Sequence, residues 1–435
     1  MQKRKKKDGT VTLMYGNQVS TSIVNNLGTS LIPYEAMYLN FSSAIMGLLQ
    51  AITNLFPNLF QRFWGKLADQ TKQYINFVVI GSIVNGIALI FLLFFTTPLL
   101  FMVILSVSLI VGSMATPAWS SLVGTAIKSN KKDRFITRSS IYGSIAGIIA
   151  MVGFMFYSYN NNSNVLILPF AISAAVAVGG SVTLLLIKID DKKNSGRDYA
   201  KSIYKPQKRS SIKDLMNETP EFKPFIQMQL LYNLGMSMAW PLFYITIVKI
   251  LHANYFQITI INILSAVSPL IVLFYMEEMI YKFGMKKLII MSRFLFVLVP
   301  LSYGLAFSLL PIYIVSIVVG PAQAVSNVIF FAYILHIAPE NKRAEYWGTY
   351  NTLIGIVTFV GSIVSGLIVE FLTSFWGLYL SLLSMYMVST VLRFSGAMFG
   401  FKIKDIRVIP SVESKDLISA GKLLSEKRLR WLKRN

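Results

Sequence analysis

Long apolar runs bounded by clustered cations dominate this chain and leave it few ways to fold. Apolar or weakly polar stretches lie at about 11–33, 42–64, 74–95, 99–127, 139–159 and 165–187. They recur at 225–248, 255–280, 286–308, 311–337, 346–369 and 377–400. Each is long enough to cross ~30 Å of hydrocarbon as a helix. Strands do not fit, because a membrane barrel alternates polar and apolar residues over ~10 positions, whereas Leu89-Ile90-Phe91-Leu92-Leu93-Phe94-Phe95 is unbroken. Composition agrees: 54% of the 435 residues are hydrophobic and 14% are charged, against ~25% charged in soluble domains. A soluble enzyme, a disordered chain and a disulfide scaffold are disfavoured. With no cysteine in the chain, disulfides, thiolate nucleophiles and Cys-ligated metals are excluded.

The net charge of +22 invites a nucleic-acid reading. Proteins that bind nucleic acid place cations on a soluble face among stacking aromatics. Here the cations sit in short clusters between apolar runs, the pattern that orients helices in a membrane. With Lys3-Arg4-Lys5-Lys6-Lys7 placed inside, the clusters at 62–72, 128–138, 188–223, 282–293, 342–343 and 393–434 all fall on the cytoplasmic side, and Lys249 alone lands outside. One miscounted span would scatter them, so the charges predict twelve spans with both termini cytoplasmic. Arg293 and Arg393 lie inside spans near their inner ends, where long side chains can snorkel to the interface. The basic start could also open a signal peptide, but residues 11–33 are long, polar-rich and without a small-residue cleavage site, which predicts a retained helix.

The chain also repeats itself. Asn26-Leu27-Gly28-Thr29-Ser30-Leu31 matches Asn233-Leu234-Gly235-Met236-Ser237-Met238 at an offset of 207 residues, and Pro33 matches Pro241 at 208. Gly112 and Gly320 are 208 apart, each with a proline close behind (Pro117, Pro321), and Arg134 and Arg343 are 209 apart. Six spans per repeat give both halves the same orientation, a parallel repeat about an axis along the membrane normal. The predicted fold is all-α: a polytopic membrane protein of twelve transmembrane helices in two pseudo-symmetric six-helix bundles. The expected domains are a basic amino terminus (1–10), the first bundle (11–187), a cytoplasmic linker (188–224), the second bundle (225–401) and a basic tail (402–435). Leu417, Leu423, Leu424, Trp431 and Leu432 would let that tail lie on anionic lipid.

At the turn after the second span stands Gly65-Lys66-Leu67-Ala68-Asp69-Gln70. This resembles the signature loop of the major facilitator superfamily of secondary transporters, Gly-x-Leu-Ala-Asp with a basic, Gly-containing tail. Lys72 occupies a position where that family usually has glycine. The equivalent loop after the eighth span, Lys282-Phe283-Gly284-Met285-Lys286-Lys287, keeps the glycine and the basic tail but has Tyr281 in place of Asp. Ala338-Pro339-Glu340-Asn341-Lys342-Arg343, followed by Gly348 and Gly355, resembles the segment that opens the family's eleventh helix. The resemblance implies alternating access by a rocker switch, with Gly65, Asp69, Lys72, Gly284, Lys286, Lys287 and Arg343 as a conformational latch. Asp69 is then expected beside the start of the eleventh helix at Tyr346-Trp347-Gly348, where a helix N-terminus favours a carboxylate by about 0.3–2 kcal/mol.

The resemblance also implies that spans one, four, seven and ten line the substrate path. Gln18, Thr21, Ser22, Asn25 and Thr29 cover one face of the first helix at 100° per residue; they suit either a hydrated cavity or polar contacts between helices. Gln229, Tyr232, Asn233, Met236 and Trp240 are the candidates on the seventh span, and Ser113, Trp119, Gln323 and Asn327 those on the fourth and tenth. No acid lies at the middle of a span. Glu35 is the nearest candidate for coupling a proton or ion, Glu370 falls near an outer end and Glu277 and Glu278 near an inner one. No mid-membrane cation is expected, so the cavity reads as neutral and amide-rich. His252 and His336 read as surface residues. The fifth span has Gly143 and Gly147 without the proline of the family's drug-antiporter motif. There is no nucleotide-binding Gly-rich loop and no catalytic constellation. These features together predict a cell-membrane carrier of a small-molecule solute, sufficient as a monomer, with no cofactor and no nucleic-acid partner. A multidrug-type exporter with Trp119, Trp240 and Tyr232 around a broad cavity remains an alternative, as does a sensor or lipid-handling protein on the same fold.

Overall fold

The computed structural model describes residues 2–127, 132–160, 165–187, 212–339 and 342–405, and these are helical with no strand among them. Most of the expected linker (188–211) and the tail from 406, with its apolar positions, lie outside the described residues, as do the side chains of Arg134, Glu277, Asn327 and Arg343. Nine of the described helices are long and apolar enough to cross a membrane.

In the amino-terminal half, α1 (Gln2–Ile23) runs through a π-turn (Val24–Gly28) and a 3-10 turn (Thr29–Leu31) into α2 (Ile32–Tyr38). Pro33 explains the irregularity. It has no N–H to offer the carbonyl four residues back, and its ring crowds that carbonyl, so the turns before it rearrange. Next come α3 (Ser43–Thr71), α4 (Tyr74–Phe94), α5 (Pro98–Gly112), α6 (Ala115–Ala126), α7 (Lys132–Asn160) and α8 (Ile167–Val182). The carboxy-terminal half opens with a short α9 (Ile212–Glu218), then α10 (Phe222–Ile245) with a π-turn at Thr246–Ile250, α11 (Tyr255–Leu273) and α12 (Met276–Phe283). It closes with α13 (Met285–Gly304), α14 (Leu310–Val318), α15 (Gly320–Ile337) and α16 (Arg343–Phe399). At 1.5 Å per residue the 57 residues of α16 would reach ~85 Å if straight. The left-handed φ of 75° at Gly377 instead breaks the helix, and few residues but glycine adopt that conformation.

The repeat is visible in the breaks. The fourth and tenth stretches, each expected as one helix, are interrupted at their matched glycines: α5 ends at Gly112 and α15 begins at Gly320. The eighth stretch is shorter than expected, ending at Leu273 before α12.

Buried apolar side chains fall into three clusters. One, at the end carrying Tyr38–Ser43 and Leu251–Tyr255 (the far end), joins both halves: Leu31, Met37, Phe41, Leu92 and Phe101 pack with Met238, Leu242, Ile258 and Tyr386. At the opposite, near end the core divides. Met14, Ala68, Phe77, Leu122 and Leu184 form a cluster within the first half; Leu215, Phe225, Ile289, Tyr333 and Tyr346 form another within the second.

Candidate functional site: a far-end gate and a polar crevice

The far end is held by polar bonds between the halves. Asn254 starts α11 with a capping box, its side chain accepting the Gln257 N–H while the Gln257 side chain accepts its own N–H. That start aims the Tyr255 hydroxyl at Glu35 of α2, to which it donates at 2.7 Å. Tyr38 donates to the Ala253 carbonyl, the Lys249 ammonium donates to Asn40, and the Ala44 N–H donates to Glu370 at 2.7 Å. Rings reinforce the join: Tyr34 meets Tyr244 edge-on at 5.0 Å, and Tyr159 lies 5.3 Å from Phe256. Beside it, Glu35, Tyr38, Ser158, Asn254 and Tyr255 border a cavity of about 480 Å³. Deeper, α3 and α16 cross in close approach. A Cβ on Gly47 would sit 2.5 Å from the Ser362 carbonyl, and one on Gly366 2.6 Å from that of Ser43. Small residues of this kind let membrane helices touch backbone to backbone. Lys249, the lone cation expected outside, thus belongs to this join between the halves, and so do Glu35 and Glu370.

The near end is built differently. Asp69 accepts from Tyr74 at 3.2 Å and from Ser121 at 3.4 Å, both in its own half. The expected place beside Tyr346–Gly348 is not where its bonds lead. Tyr346 pairs with Thr219 at 2.8 Å and donates to the Leu215 carbonyl, and Trp347 stacks on Tyr350. Gly65 packs on Pro117. Lys72, where the resemblance expects glycine, closes α3 in the left-handed conformation glycine favours, with φ 59°. Gly284 has φ 76° in the equivalent loop. Lys286 donates to the Phe401 carbonyl at 2.8 Å, tying α13 to the end of α16, while Lys287 is exposed. Two ion pairs dock the segment before α10: Lys342–Glu218 at 2.7 Å and Lys404–Glu221 at 2.8 Å. The Lys404 hydrogen bond holds Glu221 below the usual carboxylate range, and the bond to Glu218 raises Lys342.

On the first helix the polar face divides. Thr21 and Asn25 are exposed and Gln18 half-buried, whereas Ser22 packs on Gly143 of α7 and the Thr29 hydroxyl is buried without a partner. Met236 and Trp240 are half-buried and Gln323 is exposed. Ser113 donates to the Ile110 carbonyl of its own helix, and Trp119 packs against the near-end core of the first half. A row missed from the sequence is Gln50, Asn54 and Asn58 on α3, linked at i, i+4 spacing, with the Asn54 amide N–H buried and unpartnered. The repeated four-residue spacing of amides was its signal.

One expectation is overturned. Arg293 and Arg393 do not snorkel; they are 4% and 2% exposed and turn inward. Arg293 donates to Gln229 at 2.6 Å and lies 3.8 Å over the Tyr232 ring and 4.1 Å over that of Phe330. Arg393 donates to the Phe296 carbonyl at 2.9 Å. Aromatic faces and buried carbonyls offered these guanidinium groups better partners than the interface did. The interior of the second half is therefore cationic, not neutral. Gln229, Tyr232 and Asn233, expected in the cavity, are buried around these arginines.

The sequence profile of the MFS_1 like family matches residues 26–390. The chain belongs to that family. Among solved structures, the nucleoside transporter NupG is similar at 17% identity with TM-score 0.69, over 92% of this chain and 100% of its own. A bacterial homologue of the human lysosomal transporter Spinster, inward-facing and unoccupied, is similar at 12% identity and TM-score 0.61, over 94% and 99%. The peptide transporter POT in complex with alafosfalin follows at 10% identity and TM-score 0.66, over 90% and 94%. At these identities the likeness is one of fold. No curated protein matches the chain in sequence.

Proposed function

We propose that this MFS_1 like protein is a secondary transporter of a small organic solute, working by alternating access between two six-helix halves. The observation that carries the reading is the divided core: one apolar cluster joins the halves at the far end, and separate clusters serve each half at the near end. Such packing suits a molecule sealed on one side and parted on the other. The cation clusters make the near end cytoplasmic, so the state described is inward-open, in a cell membrane, with both termini inside. Exposed Thr21 and Asn25 would be costly against lipid and suit a hydrated crevice between the halves.

Two further assignments follow. Glu35, joined to Tyr255 across the halves, is where a proton would loosen the gate, which makes it the coupling candidate. Asp69, Lys72 and Arg343 would engage the opposite half when the near end closes. The multidrug reading loses two of its three aromatics, since Trp119 packs against the near-end core and Tyr232 is buried within the second half. Reconstituted vesicles given a panel of labelled solutes, with and without a pH gradient, test the proposal. Saturable, solute-selective flux is expected, and flux no greater than in protein-free vesicles for every solute would refute it.

A further inference from the structure

The 480 Å³ cavity beside the far-end join falls within the roughly 300–1,000 Å³ typical of small-molecule sites, and its lining has two characters. Leu93 and Phe94 at the end of α4, with Leu166 and Ile167 at the start of α8, make part of it apolar, and Phe94 and Ile167 are exposed. Glu35, Tyr38, Ser158, Asn254 and Tyr255 make the rest polar. The hydroxyls among them have already given their hydrogens away. Tyr38 donates to the Ala253 carbonyl, Ser158 to the Met155 carbonyl at 3.0 Å and Tyr255 to Glu35 at 2.7 Å. What these oxygens can still offer a ligand is lone pairs. Glu35 adds a negative charge. Its Oε2 takes the Tyr255 bond, whereas Oε1 accepts no hydrogen bond among the described residues, and no cation there pairs with the carboxylate. Lys249, the cation of this join, donates to Asn40 instead. A half-buried carboxylate without a counter-charge, in a pocket of spent hydroxyls, repels an anion and suits a donor that carries positive charge. The Tyr38 and Tyr255 rings, 4.7 Å apart beside that carboxylate, add aromatic surface of the kind that attracts ammonium ions.

We propose that this cavity is a binding site for an amphiphile bearing a primary ammonium group: the ammonium donates to Oε1 of Glu35, and the apolar body lies along Leu93, Phe94 and Ile167. The site is at the joined end of the molecule, and its ligand need not be the transported solute, so the proposal stands apart from the transport reading. Such an ammonium is carried both by free lipophilic amines and by phosphatidylethanolamine, and the experiment tells the two sources apart.

Full-length protein in lipid-free neutral detergent is titrated at constant ionic strength with 2-phenylethylammonium, 2-phenylethanol and 3-phenylpropionate, reading the unfolding midpoint. The ammonium should raise the midpoint saturably, and the neutral and anionic analogues should not. Glu35→Gln keeps the size of the side chain without its charge and should weaken ammonium binding about tenfold or more. Phe94→Ala trims a ring that is 74% exposed, so the fold should hold while ammonium binding weakens about two- to fivefold.

No rise with the ammonium, an equal rise with 2-phenylethanol, or a rise that both variants leave unaltered would overturn the site. The titration is then repeated in nanodiscs of phosphatidylglycerol with and without phosphatidylethanolamine. An ammonium shift that survives in both bilayers supports a site for free amines. A shift lost only where phosphatidylethanolamine is present supports the lipid headgroup as the occupant. Loss of the shift in both bilayers would overturn the site for the protein in a membrane.

Discussion

Tyr255→Phe removes a single hydroxyl from the far-end gate, and its effect can be worked from the structure. That hydroxyl donates to the Glu35 carboxylate at 2.7 Å. A hydrogen bond to a charged group contributes about 1.5–3 kcal/mol net. When the far end opens, both groups meet water, so the bond stabilises the far-closed state alone. A free energy of that size corresponds to a shift of about 10- to 150-fold in the equilibrium between states. From about 1% far-open, within the usual range for a minor state, the variant should reach about 10–60%. The chain contains no cysteine, so spin labels can be placed on a cysteine pair in the native background. A pair at Ser42 and His252, across the gate, reports the opening by electron–electron double resonance. Tyr255→Phe should add a long-distance population, Glu35→Gln, which keeps an accepting oxygen and removes only the charge, a smaller one, and the double variant should add little more than Tyr255→Phe alone, because both act on one bond. An unchanged distance distribution in both single variants would refute the assignment of this pair to the gate.

Three other outcomes follow from particular residues. Lys72 holds a left-handed conformation that costs a non-glycine residue about 1 kcal/mol, part of which glycine would return through its freer unfolded chain; Lys72→Gly should therefore raise stability by roughly 0.5 kcal/mol, seen as a higher unfolding midpoint in detergent, while Lys72→Ala should not. Gly47→Val would place carbon against the Ser362 carbonyl and the Gly366 backbone, which cannot yield as a side chain can, so cross-linking between cysteines at Asn40 and Lys249 should fall sharply; undiminished cross-linking would show that α3 and α16 can part without opening the gate. Asp69→Asn keeps an oxygen to accept from Tyr74 and Ser121 but removes the charge, so expression and unfolding should be unaltered while transport falls severalfold, and unimpaired transport would remove Asp69 from the latch.

What could be read from the sequence was whatever local chemistry decides. The apolar runs fixed where helices form, whereas the breaks at Gly112 and Gly320 fell inside stretches that read as single helices. Lys72 was legible as a residue in a glycine position, and its backbone is indeed left-handed. Contacts across the chain were not legible. Glu35 and Tyr255 are separated by 220 residues, and no one-dimensional pattern couples an acid at one helix end to a phenol at the start of another. Arg293 and Arg393 show the same limit. Their place within the helical stretches was legible, but that does not reveal which side of a helix faces protein. A lipid-facing arginine would have snorkelled, whereas one facing Tyr232 finds ring faces and carbonyls inside the bundle. Asp69 was placed by the resemblance against the opposite half, but its hydrogen bonds lead to Tyr74 and Ser121 of its own half.

The central claim, a polar crevice between the halves that is open to the cytoplasm and reaches the other side only through the gate, is tested most directly at Thr21. A single Thr21→Cys in sealed, oriented vesicles is treated with a membrane-impermeant maleimide from one side at a time. The account predicts rapid labelling from the cytoplasmic side, and slow labelling from the opposite side that accelerates about 10- to 150-fold when Tyr255→Phe is added. Labelling by lipid-soluble reagents alone, or equal rates from both sides whatever the state of the gate, would contradict it.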